Sequence, residues 1–193
     1  MIRNNIKRSI TAKQRLLEDE DFLKNFDVAS SIILDSYINK RRLLIIGNGG
    51  SAADAQHLAA EFVSKLAHDR DPLPALALTV DTSMITAIGN DYGFDKVFSR
   101  QISANGNPGD VLLAISTSGT SPNIVQCAER AQEMGIKVIG LTGSNIGDLD
   151  KNCDAVLKMP SANTAVIQEC HILVEHSLCE FVENNIFKGL ENG

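Results

Sequence analysis

His57 and Glu61 stand four residues apart in the stretch LLIIGNGGSAADAQHLAAE, residues 43–61. In a helix that spacing puts an imidazole and a carboxylate on one face, where they can meet a metal ion or a substrate together. Taken alone, the pair reads more readily as a solvated helix pair. Its weight comes from what precedes it, a short apolar run ending in Asn48, Gly49, Gly50 and Ser51. Glycines allow close backbone approach to a ligand, and a serine can cap the following helix and hydrogen-bond what is bound. A tight strand-to-helix turn would use the same residues.

A second chemical stretch is STSGTSP, residues 116–122, directly after VLLAI and before a helix start at Pro122. Ser116, Thr117, Ser118, Thr120 and Ser121 set hydroxyls beside helix N-terminal N–H groups, an arrangement that holds phosphate without Lys or Arg. Hydroxyl-rich turns also occur in ordinary loops. Neither loop ends in the Gly-Lys-Ser/Thr of a P-loop, which argues against a nucleoside triphosphate.

The last apolar segment carries three further polar groups, Gln168, His171 and His176. Gln168 and His176 lie about 12 Å apart along a helix, so they reach one ion only by leaning toward it from opposite sides. His171 points in another direction and reads as a packing or hydrogen-bonding residue. His68, in AHDRDP, reads as an exposed loop histidine.

The elements that must position these groups follow from the apolar pattern. Short runs at 43–46, 75–80, 111–115, 137–141 and 155–159 alternate with helical segments, which predicts a parallel sheet covered by helices on both faces. One helix is expected over 51–66 and another over 163–187. A third starts at Ser121 as N-cap with Pro122 in its first turn and stops at Gly135. Residues 2–40 hold apolar positions at helical spacing without proline and predict one or two helices. In such sheets ligands bind beyond the carboxyl ends of the strands, where both chemical loops would lie.

Composition narrows the function classes. The 193 residues carry 18 basic and 24 acidic side chains, a net charge of −6 that gives no electrostatic reason to expect nucleic acid. No run approaches the roughly 20 apolar residues of a membrane span, and the N-terminal MIRNNIKRSITAKQ does not read as a secretory leader, so a cytoplasmic protein of one domain is expected. Cys127, Cys153, Cys170 and Cys179 lack metal-site or disulfide-scaffold spacing and read as free or buried thiols.

Together GNGGSAADAQHLAAE, AIGNDYGF, GDVLLAISTSGTSPN and IQECHILVEH resemble the phosphoheptose isomerase family of sugar-isomerase (SIS) domain proteins, in the family's order and over roughly residues 5–187. The resemblance implies a flavodoxin-like three-layer α/β sandwich with a five-stranded parallel sheet, in which residues 41–193 form the SIS domain. It further implies a cytoplasmic homotetramer assembled partly through an N-terminal helical region, residues 1–40. The implied reaction converts D-sedoheptulose 7-phosphate to D-glycero-D-manno-heptose 7-phosphate through an enediol, the first step toward the heptose of lipopolysaccharide or related glycans.

On the same resemblance, Asn48, Gly49, Gly50, Ser51, Asn90 and Asp91 contact the sugar, and Ser116, Thr117, Ser118 and Ser121 hold the phosphate. His57, Glu61, Gln168 and His176 match a zinc site, with Glu61 and Gln168 also facing substrate, Glu61 the base and His176 the acid. Two positions depart from the pattern: Val166 stands where many relatives have Arg, and Ala165 where they have an acidic residue. One alternative is a SIS-domain regulator that binds the bacterial replication initiator; such regulators tend to lack the carboxylate and final histidine present here. Another is an isomerase of a different sugar phosphate.

Overall fold

The computed structural model describes residues 1–187. Five parallel strands form one sheet: β1 Leu43–Gly47, β2 Ala75–Ala77, β3 Val111–Ser116, β4 Lys137–Thr142 and β5 Ala155–Lys158, in the order β2-β1-β3-β4-β5. Every residue of β1 and β3 is buried, because helices cover both faces and the strands need no polar alternation. Leu43, Ile45, Leu113, Ile115 and Leu141 face one layer, made of α1 (Ile2–Glu18), α2 (Glu20–Ile38), α3 (Gly50–Val63) and α7 (Thr164–Ile186). Leu44, Ile46, Leu112 and Val138 face the other, built from α4 (Thr82–Tyr92), α5 (Val97–Asn105) and α6 (Pro122–Glu133). A fully buried Leu or Ile contributes about 1.5–3 kcal/mol against about 1 kcal/mol for a loop hydrogen bond, so the ends of β1 and β3 hold their loops more firmly than the loops hold themselves.

Helix boundaries have local causes. Asp19 ends α1 and caps α2, its carboxylate accepting from Phe22 N–H at 2.9 Å. Asn163 caps α7 by accepting from Val166 N–H. At the end of α6, Gly135 N–H donates to the Gln132 carbonyl and Ile136 N–H to the Ala131 carbonyl, the paired bonds of a Schellman stop. The predicted stop at Gly135 is therefore where the helix ends.

Several sequence expectations are corrected. The apolar run 75–80 is a strand only to Ala77; Leu78 N–H donates to the Ile45 carbonyl, Thr79 hydroxyl turns to the Ala52 carbonyl, and Asp81 caps α4. The helix expected over 51–66 stops at Val63. Ser121 occupies the N-cap of α6 without making a side-chain cap bond. His68 is half-buried in the loop after α3 rather than exposed. Helices α4 and α5 are additional to those expected from the sequence: α4 buries none of its own residues and so lacks the stripe that would reveal it, and α5 is nine residues long with Val97, Phe98, Gln101 and Ile102 buried.

The two N-terminal helices differ. Ala29, Ile33 and Tyr37 of α2 belong to the main core, which α1 joins through Ala12 and Leu16 while leaving Ile2, Ile6, Ile10 and Leu17 exposed.

Candidate active site

Strand order reverses beside β1, so the loops after β1 and β3 open side by side at the carboxyl edge of the sheet. They are tied directly. Asn48 Nδ2 donates to Asn123 Oδ1 and Asn123 Nδ2 donates back to Asn48 Oδ1, both at 2.9 Å. Asn123 is buried at the start of α6, and nothing local in the sequence marks it, because its partner lies 75 positions away. Ser51 is buried in the first turn of α3, and Gly49 and Gly50 are exposed at its mouth. A Cβ on Gly50 would meet the side-chain tip of Gln168, which places the Gln168 amide of α7 against the glycine loop.

The hydroxyl loop is compact. Gly119, at φ +68°, turns the chain so that its N–H donates to both the Ser116 carbonyl and Ser116 Oγ. Ser118 Oγ accepts from Thr120 N–H and hydroxyl at 3.2 Å each, while Ser116 and Ser121 hydroxyls approach at 3.4 Å. Thr117 carbonyl accepts from Gly143 N–H, fixing the loop to the end of β4. Ser121 makes no side-chain cap bond, Pro122 has no N–H, and Ile124 N–H already donates to the Ser121 carbonyl, so the first turn of α6 leaves the Asn123 N–H for an external acceptor.

Two turns beyond the glycines, α3 meets α7. Glu61 Oε1 lies 3.0 Å from His57 Nε2 and 3.2 Å from His176 Nε2, and the two imidazole nitrogens are 3.1 Å apart. Both histidine side chains are about half exposed, whereas Glu61 is 12% exposed and its Oε2 is sealed without a hydrogen-bond partner. Three lone-pair atoms facing one point need a cation or proton among them. Two imidazole nitrogens and a carboxylate oxygen fit a divalent ion of the zinc type. The sequence placed His57 and Glu61 together by spacing; His176 joins them only through the packing of α7 on α3.

The other predicted residues are distributed around this centre. Gln168 lies one end of α7 away, against Gly50. Asn90 and Asp91 are exposed at the end of α4, with Asn90 Nδ2 donating to Asp91 Oδ1 at 2.7 Å, and among the described residues neither bonds to the triad or the hydroxyl loop. His171 is fully buried, its Nε2 3.3 Å from the Thr142 carbonyl; burial pushes its imidazole down to about 4, against the raising effect of that carbonyl. It is a core residue, on a different side of α7 from His176.

Sequence reading missed the acidic groups beneath the triad. Glu175 is fully buried with no partner for either oxygen, and burial first, then the charges of Asp54 and Glu61, push its carboxyl up to about 8. Burial also raises Asp54, partly offset by His57. The four thiols are free, and burial raises all four, Cys127, Cys153, Cys170 and Cys179, above the ordinary thiol range.

Comparison with known proteins agrees with this architecture. The SIS domain model matches residues 7–143. A phosphoheptose isomerase of Aneurinibacillus thermoaerophilus is 48% identical over 187 residues, covering 97% of this chain and 94% of the relative. One from Clostridium acetobutylicum is 47% identical, covering 94% and 93%. Among solved structures, phosphoheptose isomerase from Neisseria gonorrhoeae superposes with a TM-score of 0.89 at 42% identity, covering 95% of this chain and 97% of that one. The Francisella tularensis enzyme gives 0.90 at 38%, covering 95% and 96%. By fold, sequence and near-complete coverage, this chain belongs to the phosphoheptose isomerase family of SIS-domain proteins.

Proposed function

We propose that the protein isomerises D-sedoheptulose 7-phosphate to D-glycero-D-manno-heptose 7-phosphate, in the cytoplasm and as a homotetramer. The observation that carries the reading is the Glu61 carboxylate, on the helix that begins at the glycine loop, faced by His57 of that helix and His176 of α7, with the hydroxyl loop tied to the glycine loop. The names of the relatives favour an enzyme over a SIS-domain regulator.

In this reading the Asn123 N–H at the start of α6 and the hydroxyls of Ser116, Thr117, Ser118 and Ser121 bind the phosphate. The backbone and side chains of Asn48, Gly49, Gly50 and Ser51, with Asn90 and Asp91, orient the sugar. Glu61 takes the proton from C1; the electron pair forms the C1–C2 double bond, and His176 gives its proton to O2, yielding the enediol. His176 then recovers a proton from O1 while Glu61 returns its proton to C2, which leaves the aldehyde at C1. Each group ends as it began. His57, Glu61, His176 and, from α7, Gln168 would hold a zinc ion, which when bound polarises the sugar oxygens and stabilises developing negative charge.

Assembly is read from α1 and α4. Ile2, Ile6, Ile10 and Leu17 share a stripe of α1, and Met84 and Tyr92 of α4 with nearby Phe94 are also exposed. Exposed apolar side chains in such number on a helix face are covered in an oligomer.

Incubating zinc-loaded protein with sedoheptulose 7-phosphate and following the sugar by NMR tests the proposal. Appearance of the aldose phosphate is expected. No conversion, with the substrate bound, would favour a regulator.

A further inference from the structure

We propose that Arg70 is a positioning residue that, with Glu183, sets the spacing of α3 and α7 and so the geometry of the His57–Glu61–His176 triad. The inference rests on the reading of that triad as a metal site.

Arg70 lies in the loop after α3, and its side chain is completely buried. All three of its nitrogens are committed. Nε donates to Glu183 Oε1 at 2.7 Å, Nη1 to the Phe62 and Asp71 carbonyls, and Nη2 to the carbonyl of Glu61 itself. Phe62 and Glu61 belong to the last turn of α3, where carbonyls lack helical partners and a cation is favoured. The guanidinium thus caps the helix that carries His57 and Glu61.

Its partner belongs to the other helix. Glu183 is seven residues beyond His176, about two turns, and so on the same side of α7. Its side chain is 1% exposed and also accepts from Leu66 N–H at 2.9 Å and Ala67 N–H at 3.1 Å, which pins the intervening loop. The Arg70 guanidinium also sits 5.6 Å from the centre of the Phe187 ring near the end of α7. One planar side chain therefore joins the backbone of the residue that supplies the carboxylate to the face of the helix that supplies the second imidazole.

A pair so deeply buried must be kept whole, since loss of one member strands the other. A lysine at position 70 would keep the charge and lose the fork that reaches two helices at once. Second-sphere groups of this kind commonly tune metal affinity by about 10–100-fold.

The test is a titration of the full-length metal-free protein with Co²⁺, read by its visible absorption, for the parent, Arg70→Lys, Glu183→Gln and Asp110→Asn. Asp110 is equally buried but its carboxylate bonds Arg42 and Asn107 N–H before β1 and β3 and reaches neither α3 nor α7, so its variant is a control for lost stability alone. The expected result is one Co²⁺ per parent chain. Arg70→Lys and Glu183→Gln should weaken binding by about tenfold or more and alter the band shape while the proteins keep their native circular dichroism, and Asp110→Asn should melt earlier and bind as the parent does. If Arg70→Lys fails to fold, Glu183→Gln decides alone. Parental affinity and spectrum in the folded variants, or an equal loss in Asp110→Asn, would overturn the positioning role. A parent that takes up no Co²⁺ would instead overturn the metal reading, and the role with it.

Discussion

Asn48 and Asn123 exchange two hydrogen bonds of 2.9 Å, so one amide pair holds the glycine loop after β1 against the helix that follows the hydroxyl loop. Replacing Asn123 by Asp removes one donor and adds a charge beside the proposed phosphate. Steady-state kinetics should show KM for the sugar phosphate raised about tenfold or more with kcat little changed, the pattern of lost binding rather than lost chemistry. A fall in kcat at constant KM would assign the pair to the reacting end instead.

Ser118 is exposed at the tip of the hydroxyl loop, where its oxygen accepts two bonds from Thr120. Ser118→Leu should leave folding and assembly intact and raise KM sharply, because the change places an apolar group where an anion is held. Tight binding of sugar phosphate by the folded variant, measured by calorimetry, would move the phosphate elsewhere.

Acid should act on the fold through His171. Its folded value, about 4, lies below the ordinary 6.5, so its share of stability is present above pH 6.5 and is lost as pH falls through 4. Glu175 tilts stability the other way: its carboxyl, raised to about 8 from 4.5, contributes below pH 4.5 and loses that contribution as pH rises through 8. The histidine is therefore read by difference. Urea unfolding of the parent and of His171→Leu at pH 7 and pH 5 should show a larger acid loss in the parent, and the variant should keep its metal content, whereas His176→Ala should lose it. Equal acid losses would contradict the buried neutral histidine.

The exposed stripe of α1 makes assembly testable without damaging the core. Removing residues 1–40 would also strip Ala29, Ile33 and Tyr37 from the interior, so paired changes Ile6→Glu and Ile10→Glu are cleaner. Light scattering should report a tetramer for the parent and a smaller species for the double variant. A tetramer in both would remove α1 from the interface.

Much of this was legible along the chain. The five apolar runs gave five parallel strands, and the helix stop at Gly135 formed where its chemistry placed it. His57 and Glu61 could be paired because four residues make one helical turn. What stayed hidden depends on distant contacts. Asn123 has meaning only opposite Asn48, and Arg70 only opposite Glu183, 113 positions away. No spacing in the sequence singles out Glu175, whose burial and neighbours Asp54 and Glu61 come only with the folded chain. The end of the run 75–80 was misread because apolarity alone does not show where a strand turns into a helix cap.

The central claim is that Glu61 moves the proton between C1 and C2, and one substitution addresses it directly. Glu61→Gln keeps the size of the side chain and removes its basicity. With zinc-loaded parent and variant in D₂O, NMR of sedoheptulose 7-phosphate should show conversion and carbon-bound hydrogen exchange by the parent, and a fall in both of about 10²-fold or more in the variant, with substrate binding retained. Near-parental turnover or exchange by Glu61→Gln would contradict the account and require a different base.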